Sequence, residues 1–296
     1  MPSFSYIAII FNPNSTGNAK KQAKQLHAVL QKKLPGVTTK LMPTQHGGHA
    51  IELAYEIAKT HKSPLIISAS GDGGYNEVVN GAMRAVEEGS DPICAVLPSG
   101  NANDHARTMQ DKPLAERIIA DAVTRLELLE VTMTDDSNKT TSRYAHSYVG
   151  LGLTPTIAVE LNKHTLNSFR ETWIVLRTFW RLRPVVLRTA GHTSKVDSLI
   201  CSVIPEMAKV LTLSDKAHPD DGMFEITTLP HNKKFMLVFR LLKGIFSHMG
   251  GTSRVHDYSC TVLEATPIQL DGEVMDLAAN TELTISIRPA AIRTIV

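Results

Sequence analysis

The chain has 296 residues and a net charge of +2 with a pI near 8.4, long enough for two domains that each bury a core. Its basic residues are scattered rather than blocked, which argues against a nucleic-acid partner. No run approaches the roughly 18 uninterrupted apolar residues of a membrane span, and the N-terminus lacks a basic segment leading into an apolar core, so a soluble, cytoplasmic protein is expected. In chain order, Tyr6 to Phe11 is an apolar strand, and Ala19 to Leu34 carries Ala23, Leu26, Leu30 and Leu34 at helical spacing. Val37 to Met42 is a second strand and Ala50 to Thr60 a second helix. Pro64 to Ser70 is a third strand, followed by a helix to about Glu88 and a fourth strand at Ile93 to Leu97. Such alternation predicts a parallel sheet covered by helices, with ligands at the carboxyl ends of the strands.

After about Leu126 the texture changes. Arg125 to Met133, Arg143 to Val149, Val196 to Ile204, Met223 to Thr228, Val255 to Leu263 and Leu283 to Ile287 read as strands between turns, with two long helical segments inserted. The expected class is α/β followed by β. A Rossmann-like parallel-sheet domain covers residues 1–129, with 288–296 candidates to return to it, and an antiparallel β-sandwich covers 130–287. Cys94, Cys201 and Cys260 lie far apart in apolar runs and read as buried thiols of a reducing compartment.

The third strand runs into Gly71-Asp72-Gly73-Gly74 and then into a helix opening Asn76-Glu77. Glycines let a backbone approach an anion closely, and the N–H groups of a following helix favour negative charge. An Asp inside such a loop would repel phosphate. It needs a bridging Mg2+, a proton to accept, or a hydrogen bond to ribose or backbone. An ordinary strand-to-helix turn favours the same residues. Two commoner phosphate loops fail on spacing: no Gly-Lys pair stands where a Walker loop needs it, and Asn76 occupies the place of the third dinucleotide-fingerprint glycine. Two further strand ends carry similar loops, Asn12-Pro13-Asn14-Ser15-Thr16-Gly17 and Pro98-Ser99-Gly100-Asn101-Ala102-Asn103-Asp104. Each alone is a turn. Three after three strands of one sheet point to a shared site.

Farther on, Asp271-Gly272 between two strands is a hairpin signal, and Asp220-Asp221-Gly222 reads as a turn that also offers metal ligands. His46-Gly47-Gly48-His49 pairs two imidazoles, but with no third ligand evident it reads as a loop opening a helix beside Thr44. Asn167 to Arg183 and Lys233 to Met249 are amphipathic, with aromatic and basic residues. They read as helices packed on their own sheet or lying on an anionic membrane.

Asn12-Pro13 with Ser15 and Gly17, Gly71-Asp72-Gly73 with Asn76-Glu77, Gly100-x-x-Asn103-Asp104-x-Ala106-Arg107 and Leu270-Asp271-Gly272-Glu273, in that order, resemble the diacylglycerol kinase catalytic domain family. That family includes bacterial soluble lipid kinases and sphingosine kinases, with NAD kinases more distant. Tyr148-Val149-Gly150-Leu151-Gly152 and Asp220-Asp221-Gly222-Met223-Phe224 extend the resemblance over nearly the whole chain. It implies two domains with an active site in the cleft between them, and ATP, with Mg2+, as donor of a γ-phosphate to the hydroxyl of a diacylglycerol-like or sphingoid-like lipid. Nucleotide would lie against Asn12, Pro13, Asn14, Ser15, Thr16, Gly17, Thr44, Ser70, Gly71, Asp72, Gly73, Gly74, Asn76, Glu77, Gly100, Asn101, Asn103 and Asp104. Glu273 would accept the hydroxyl proton with Asp271 in support, Asp72 would sit near the phosphates, and Asp221 with the Met223 carbonyl would match a structural Mg2+ position. A lipid substrate is the expected partner, with peripheral contact at the inner membrane face and a homodimer left open.

The chain departs from the family pattern in several places. Ser70 and Gly74 stand where bacterial lipid kinases usually carry Gly and Thr, Asn101 replaces a Thr, Thr16 is inserted, and Asn18 stands where Lys is common. A NAD kinase-like enzyme and a catalytically degenerate nucleotide- or lipid-binding protein are the alternatives.

Overall fold

A computed structural model of the chain describes residues 2–15, 17–109, 111–162, 183–209, 211–214, 217, 220–232 and 252–295. Contacts divide the chain into one unit of Met1–Leu128 with Arg288–Val296 and a second of Leu129–Ile287. The first holds β1 (Tyr6–Phe11), α1 (Ala19–Lys33), β2 (Thr38–Pro43), α2 (His49–Thr60), β3 (Leu65–Ser70), α3 (Asp72–Glu87), β4 (Ile93–Pro98), α4 (Asp104–Met109) and α5 (Leu114–Ile119).

β1 pairs in parallel with both β2 and β3, and β3 pairs in parallel with β4. The chain's last strand then joins β4 in parallel through Arg293↔Ile93 and Thr294↔Cys94. β1, β3 and β4 are buried on both faces, which explains why they read as continuous apolar runs, whereas β2 at the sheet edge is partly exposed. Ile7, Ile9, Ile67 and Ile93 meet Ala23, Leu26 and Leu30 of α1 and Ile118 of α5 in one core. Ala8, Ile10, Ile66 and Cys94, which face the other way by strand alternation, are equally buried. Because β1 lies between β2 and β3, the chain reverses its direction of travel across the sheet there. The carboxyl ends of β1 and β3 therefore flank a topological switch point, where α/β sheets bind ligands.

α2 and α3 pack closely on this sheet, and Gly81 makes that possible: a Cβ there would lie 2.2 Å from the Ile51 carbonyl oxygen. The helix read as opening at Asn76 instead begins at Asp72. Gly73 and Gly74 are thus in its first turn, with Asp72 at the positive end of the helix dipole.

The second unit continues through β5 (Val123–Thr134), β6 (Thr140–Ala145), β7 (Tyr148–Gly152), α6 (Leu153–Asn162), β8 (Val185–Thr189), β9 (His192–Ser202), β10 (Glu206–Met207), β11 (Leu211–Thr212), β12 (Phe224–Pro230), β13 (Thr252–Val255), β14 (Asp257–Val262), β15 (Thr266–Leu270), β16 (Glu273–Leu277) and β17 (Thr281–Ile295). β5 starts in the first unit and β17 ends there. The order β16-β15-β7-β9-β8-β14 is antiparallel throughout, and β12 pairs antiparallel with both β9 and β13. Leu151, Ile200, Phe224, Val262 and Ile268 are among its core residues. A parallel α/β sheet followed by antiparallel strands is the class read from the sequence. The amphipathic segments 167–183 and 233–249 lie outside the described residues, apart from Arg183. Among the described residues no helix is long and apolar enough to cross a membrane.

Candidate active site

Three turns meet at the carboxyl ends of β1, β3 and β4. A Cβ on Gly17 would lie 2.5 Å from the Ser99 carbonyl oxygen, and one on Gly100 would lie 2.3 Å from the Gly71 Cα. Only glycine allows backbones to approach so closely, so the first turn abuts the third and the third abuts the second. Ser99 N–H donates to the Ser70 carbonyl at 2.9 Å, extending the β3–β4 ladder into the turns. Thr44 joins the group, its N–H donating to the Phe11 carbonyl at 2.9 Å. Glu77 accepts the Gly48 N–H at 3.1 Å and ties the loop after β2 to α3.

Within the first turn, Asn12 Oδ1 accepts the Asn14 N–H at 2.9 Å, and Ser15 N–H reaches the Asn12 carbonyl at 3.3 Å; Pro13 lies between them and Thr16 is outside the described residues. In the third, the Asn103 amide closes a ring on Gly100, accepting its N–H and donating to its carbonyl, each at 2.9 Å, with φ of +53° at Asn103. Asn101 is exposed at the tip, whereas Asp104 is buried and faces Arg107 at 3.5 Å. Asn76 is buried, its backbone and side-chain oxygens accepting from Asn80 Nδ2 at 2.9 and 3.0 Å.

Asp72 finds two of its partners in the third turn. Its Oδ2 accepts the Asp104 N–H at 3.1 Å and its Oδ1 the His105 N–H at 3.2 Å, so one carboxylate caps α4 and pins the second turn to the third. Of the reasons that would excuse a carboxylate here, the hydrogen bond to backbone is present. Ser70 and Gly74 prove to be coupled. A Cβ on residue 74 would lie 2.7 Å from both Cβ and Oγ of Ser70, while the Ser70 hydroxyl bonds Ser68 Oγ at 2.7 Å and the Gly71 carbonyl at 3.0 Å. Ser70 thus puts a hydroxyl beside the place that a side chain at 74 would occupy.

In the second unit Asp271 and Gly272 form the two-residue hairpin turn between β15 and β16, with φ of +49° and +103° and Leu270 opposite Glu273. The Asp271 side chain is fully buried. It accepts the N–H groups of His146 at 2.6 Å, Ser147 at 2.9 Å and Tyr148 at 2.8 Å, so it anchors the β6–β7 turn. Glu273, half-buried, opens β16.

Residues 6–133, which hold all three glycine turns, match the diacylglycerol kinase catalytic domain. The likeness to that domain therefore covers the first part of the chain. The diacylglycerol kinase of Bacillus subtilis is 40% identical over 102 residues, which are 34% of this chain and 32% of that protein. The diacylglycerol kinase of Staphylococcus aureus (strain MRSA252) is 34% identical over 101 residues, 34% of this chain and 30% of its own length. The matched segment thus spans about a third of the length of these curated relatives. A crystal structure of a diacylglycerol kinase from Bacillus anthracis str. Sterne resembles the chain at a TM-score of 0.72 and 16% identity, over 100% of this chain and 98% of that one. Yeast NADH kinase, complexed with NADH, resembles it at 0.53 and 12% identity over 99% and 83%. At these identities both likenesses are of fold.

Outside the matched residues, the Asp221 turn does not fit a divalent ion as it stands. Asp221 Oδ1 accepts the Met223 N–H at 3.0 Å, Oδ2 pairs with the Arg254 guanidinium, and the Gly222 carbonyl takes a hydrogen bond from His256 Nδ1 at 2.6 Å. Arg254 was not legible as a site residue, because the pairing crosses a β-ladder. The third ligand missing beside His46 and His49 in the sequence is Glu52, whose carboxylate lies within 4.8 Å of both imidazoles. His49 Nδ1, however, accepts the Gln45 N–H at 3.0 Å, which puts the ring proton on Nε2 and removes its second lone pair. That trio carries no metal assignment. Sequence reasoning also passed over His105, which is buried with its ring 5.3 Å from that of Tyr75 directly behind the second turn. A cavity of about 640 Å³ opens on the α1 side of the third turn, where Leu26, Val29, Leu97 and Leu114 line it together with Asn103 and Arg107.

Proposed function

We propose that the protein is a kinase that transfers the γ-phosphate of ATP to a hydroxyl of a diacylglycerol-like or sphingoid-like lipid. The observation that carries this reading is the closure of three glycine turns on one another at the sheet's switch point, where the start of α3, with Gly73 and Gly74 in its first turn, faces the place an anion would take. The match of residues 6–133 supports it. Phosphoryl transfer asks little covalent help of a protein, and positioning with charge neutralisation supplies most of the effect. Ser15, Gly17, Gly73, Gly74 and Asn101 are suited to bind phosphate or ribose through N–H, hydroxyl and amide groups. Asp72 and Glu77 act as positioning residues, because Asp72 fastens the second turn to the third and Glu77 fastens the loop after β2 to α3. Mg2+ bound with the nucleotide would neutralise phosphate charge.

In the reaction a bond forms between the lipid oxygen and the γ-phosphorus, and the bond from that phosphorus to the β–γ bridging oxygen breaks. ADP leaves, and the hydroxyl proton passes to the carboxylate of Glu273. Asp271 holds the hairpin from which Glu273 projects.

The test is incubation with γ-labelled ATP and a panel of lipid alcohols. Label should enter a lipid. Glu273→Gln should lower the rate roughly 10²–10⁴-fold, the range for loss of a general base, without weakening nucleotide binding. Asp72→Asn should weaken both. Label in NAD and in no lipid would establish the NAD kinase-like alternative, and nucleotide binding with no transfer would establish a degenerate binder; either overturns the proposal.

A further inference from the structure

We propose that Arg254 supplies from within the chain the cation that the Asp221 turn would otherwise take from solution, so that the second unit keeps this corner without a divalent ion. The placement is set by strand register. Arg254 on β13 stands directly opposite Glu225 on β12, and its Nε lies 3.2 Å from Glu225 Oε1. That carboxylate is 1% exposed. Nη2 of the same guanidinium reaches Asp221 Oδ2, in the turn that leads into β12. One planar fork therefore bridges a buried carboxylate on a strand and a more exposed one on a turn, an arrangement to which guanidinium is well matched.

A divalent ion at Asp221 needs carboxylate and carbonyl oxygens as ligands. Here both oxygens of the Asp221 carboxylate already face donors, Oδ1 the Met223 N–H and Oδ2 Arg254, and the Gly222 carbonyl of the same turn takes His256. An incoming ion would also meet a full positive charge at hydrogen-bond distance. Arg254 thus does the electrostatic work of a bound cation and excludes one. The inference concerns stability without nucleotide, so it stands or falls separately from the kinase reading.

Thermal unfolding of the whole chain, free of nucleotide, in EDTA and in millimolar Mg2+ or Ca2+ tests it. The wild type should melt at the same temperature in all three. Arg254→Met should melt several degrees lower in EDTA and regain part of the loss in either cation, and adding Asp221→Asn to Arg254→Met should abolish that gain. A cation-dependent rise in the wild type overturns the proposal. So does an Arg254→Met protein as stable as wild type, or one that loses stability and takes no cation, which would leave an ordinary ion pair. Should Arg254→Met fail to fold in EDTA, its refolding yield with and without Ca2+ is the readout, and the wild-type comparison needs no variant.

Discussion

At Ser70 and Gly74 two positions share the space of one side chain. With 2.7 Å between the Ser70 hydroxyl and a Cβ at 74, Gly74→Thr alone must displace Ser70, at about 1–3 kcal/mol for overpacking. The double change Ser70→Gly with Gly74→Thr should recover most of that loss. A double-mutant cycle in urea would then give a clear coupling energy, and simple additivity would mean that the two residues do not compete for space. Asp271 is the second residue whose neighbours decide its effect. Asp271→Asn replaces an oxygen that accepts backbone N–H groups with an amide that donates, leaving at least one buried donor unmatched, and should cost about 2–4 kcal/mol of unfolding free energy in denaturant titration. A loss below roughly 1 kcal/mol would show that the hairpin relaxes around the amide.

At the scale of elements, α2 against α3 sets two effects of opposite sign at Gly81. Alanine in mid-helix is worth about 1 kcal/mol over glycine, yet its Cβ would meet the Ile51 carbonyl at 2.2 Å and the Ala54 Cβ at 2.9 Å. Backbone cannot swing aside as a side-chain tip does. The clash should win, and Gly81→Ala should lower stability by about 1–2 kcal/mol, the balance of the two terms, in chemical denaturation. A stabilised variant would mean that the helices part freely. The turns between elements obey the same constraint, since Gly17 and Gly100 each leave less room than a methyl group needs.

Across the whole molecule, the three cysteines are buried in the hydrocarbon of both units. Burial pushes the Cys260 thiol from its ordinary 9.0 up to about 11 and the Tyr258 phenol from 10.0 up to about 12. It raises Cys94 as well, and Cys201 through burial and then the neighbouring Cys260. An acid whose folded pKa is raised favours the fold in full below its unfolded value, and that contribution is lost as pH climbs through the folded one. Stability should therefore hold level from near neutrality to about pH 8 and fall between about 9 and 11, the unfolded and folded values of Cys260. Denaturant midpoints taken across that range check this. A midpoint unchanged to pH 11 would show that the thiols ionise in place.

Periodicity and punctuation carried the class of fold. Apolar runs such as YIAIIF and LIISAS, alternating with amphipathic helices, leave little choice but a covered parallel sheet, and Asp271-Gly272 dictates a hairpin because both residues accept positive φ. The three glycine turns were legible for the same reason, since their chemistry is local. What tertiary structure alone decided is which groups those residues meet. Asp72 caps a helix 32 residues away, Asp271 is enclosed by N–H groups more than 120 residues upstream, Ser70 fills the space above Gly74, and Arg254 reaches Asp221 across a ladder. A chain's own pattern governs backbone conformation through sterics that act over a few bonds, whereas the partner of a charge or the room beside a glycine depends on where distant segments come to rest.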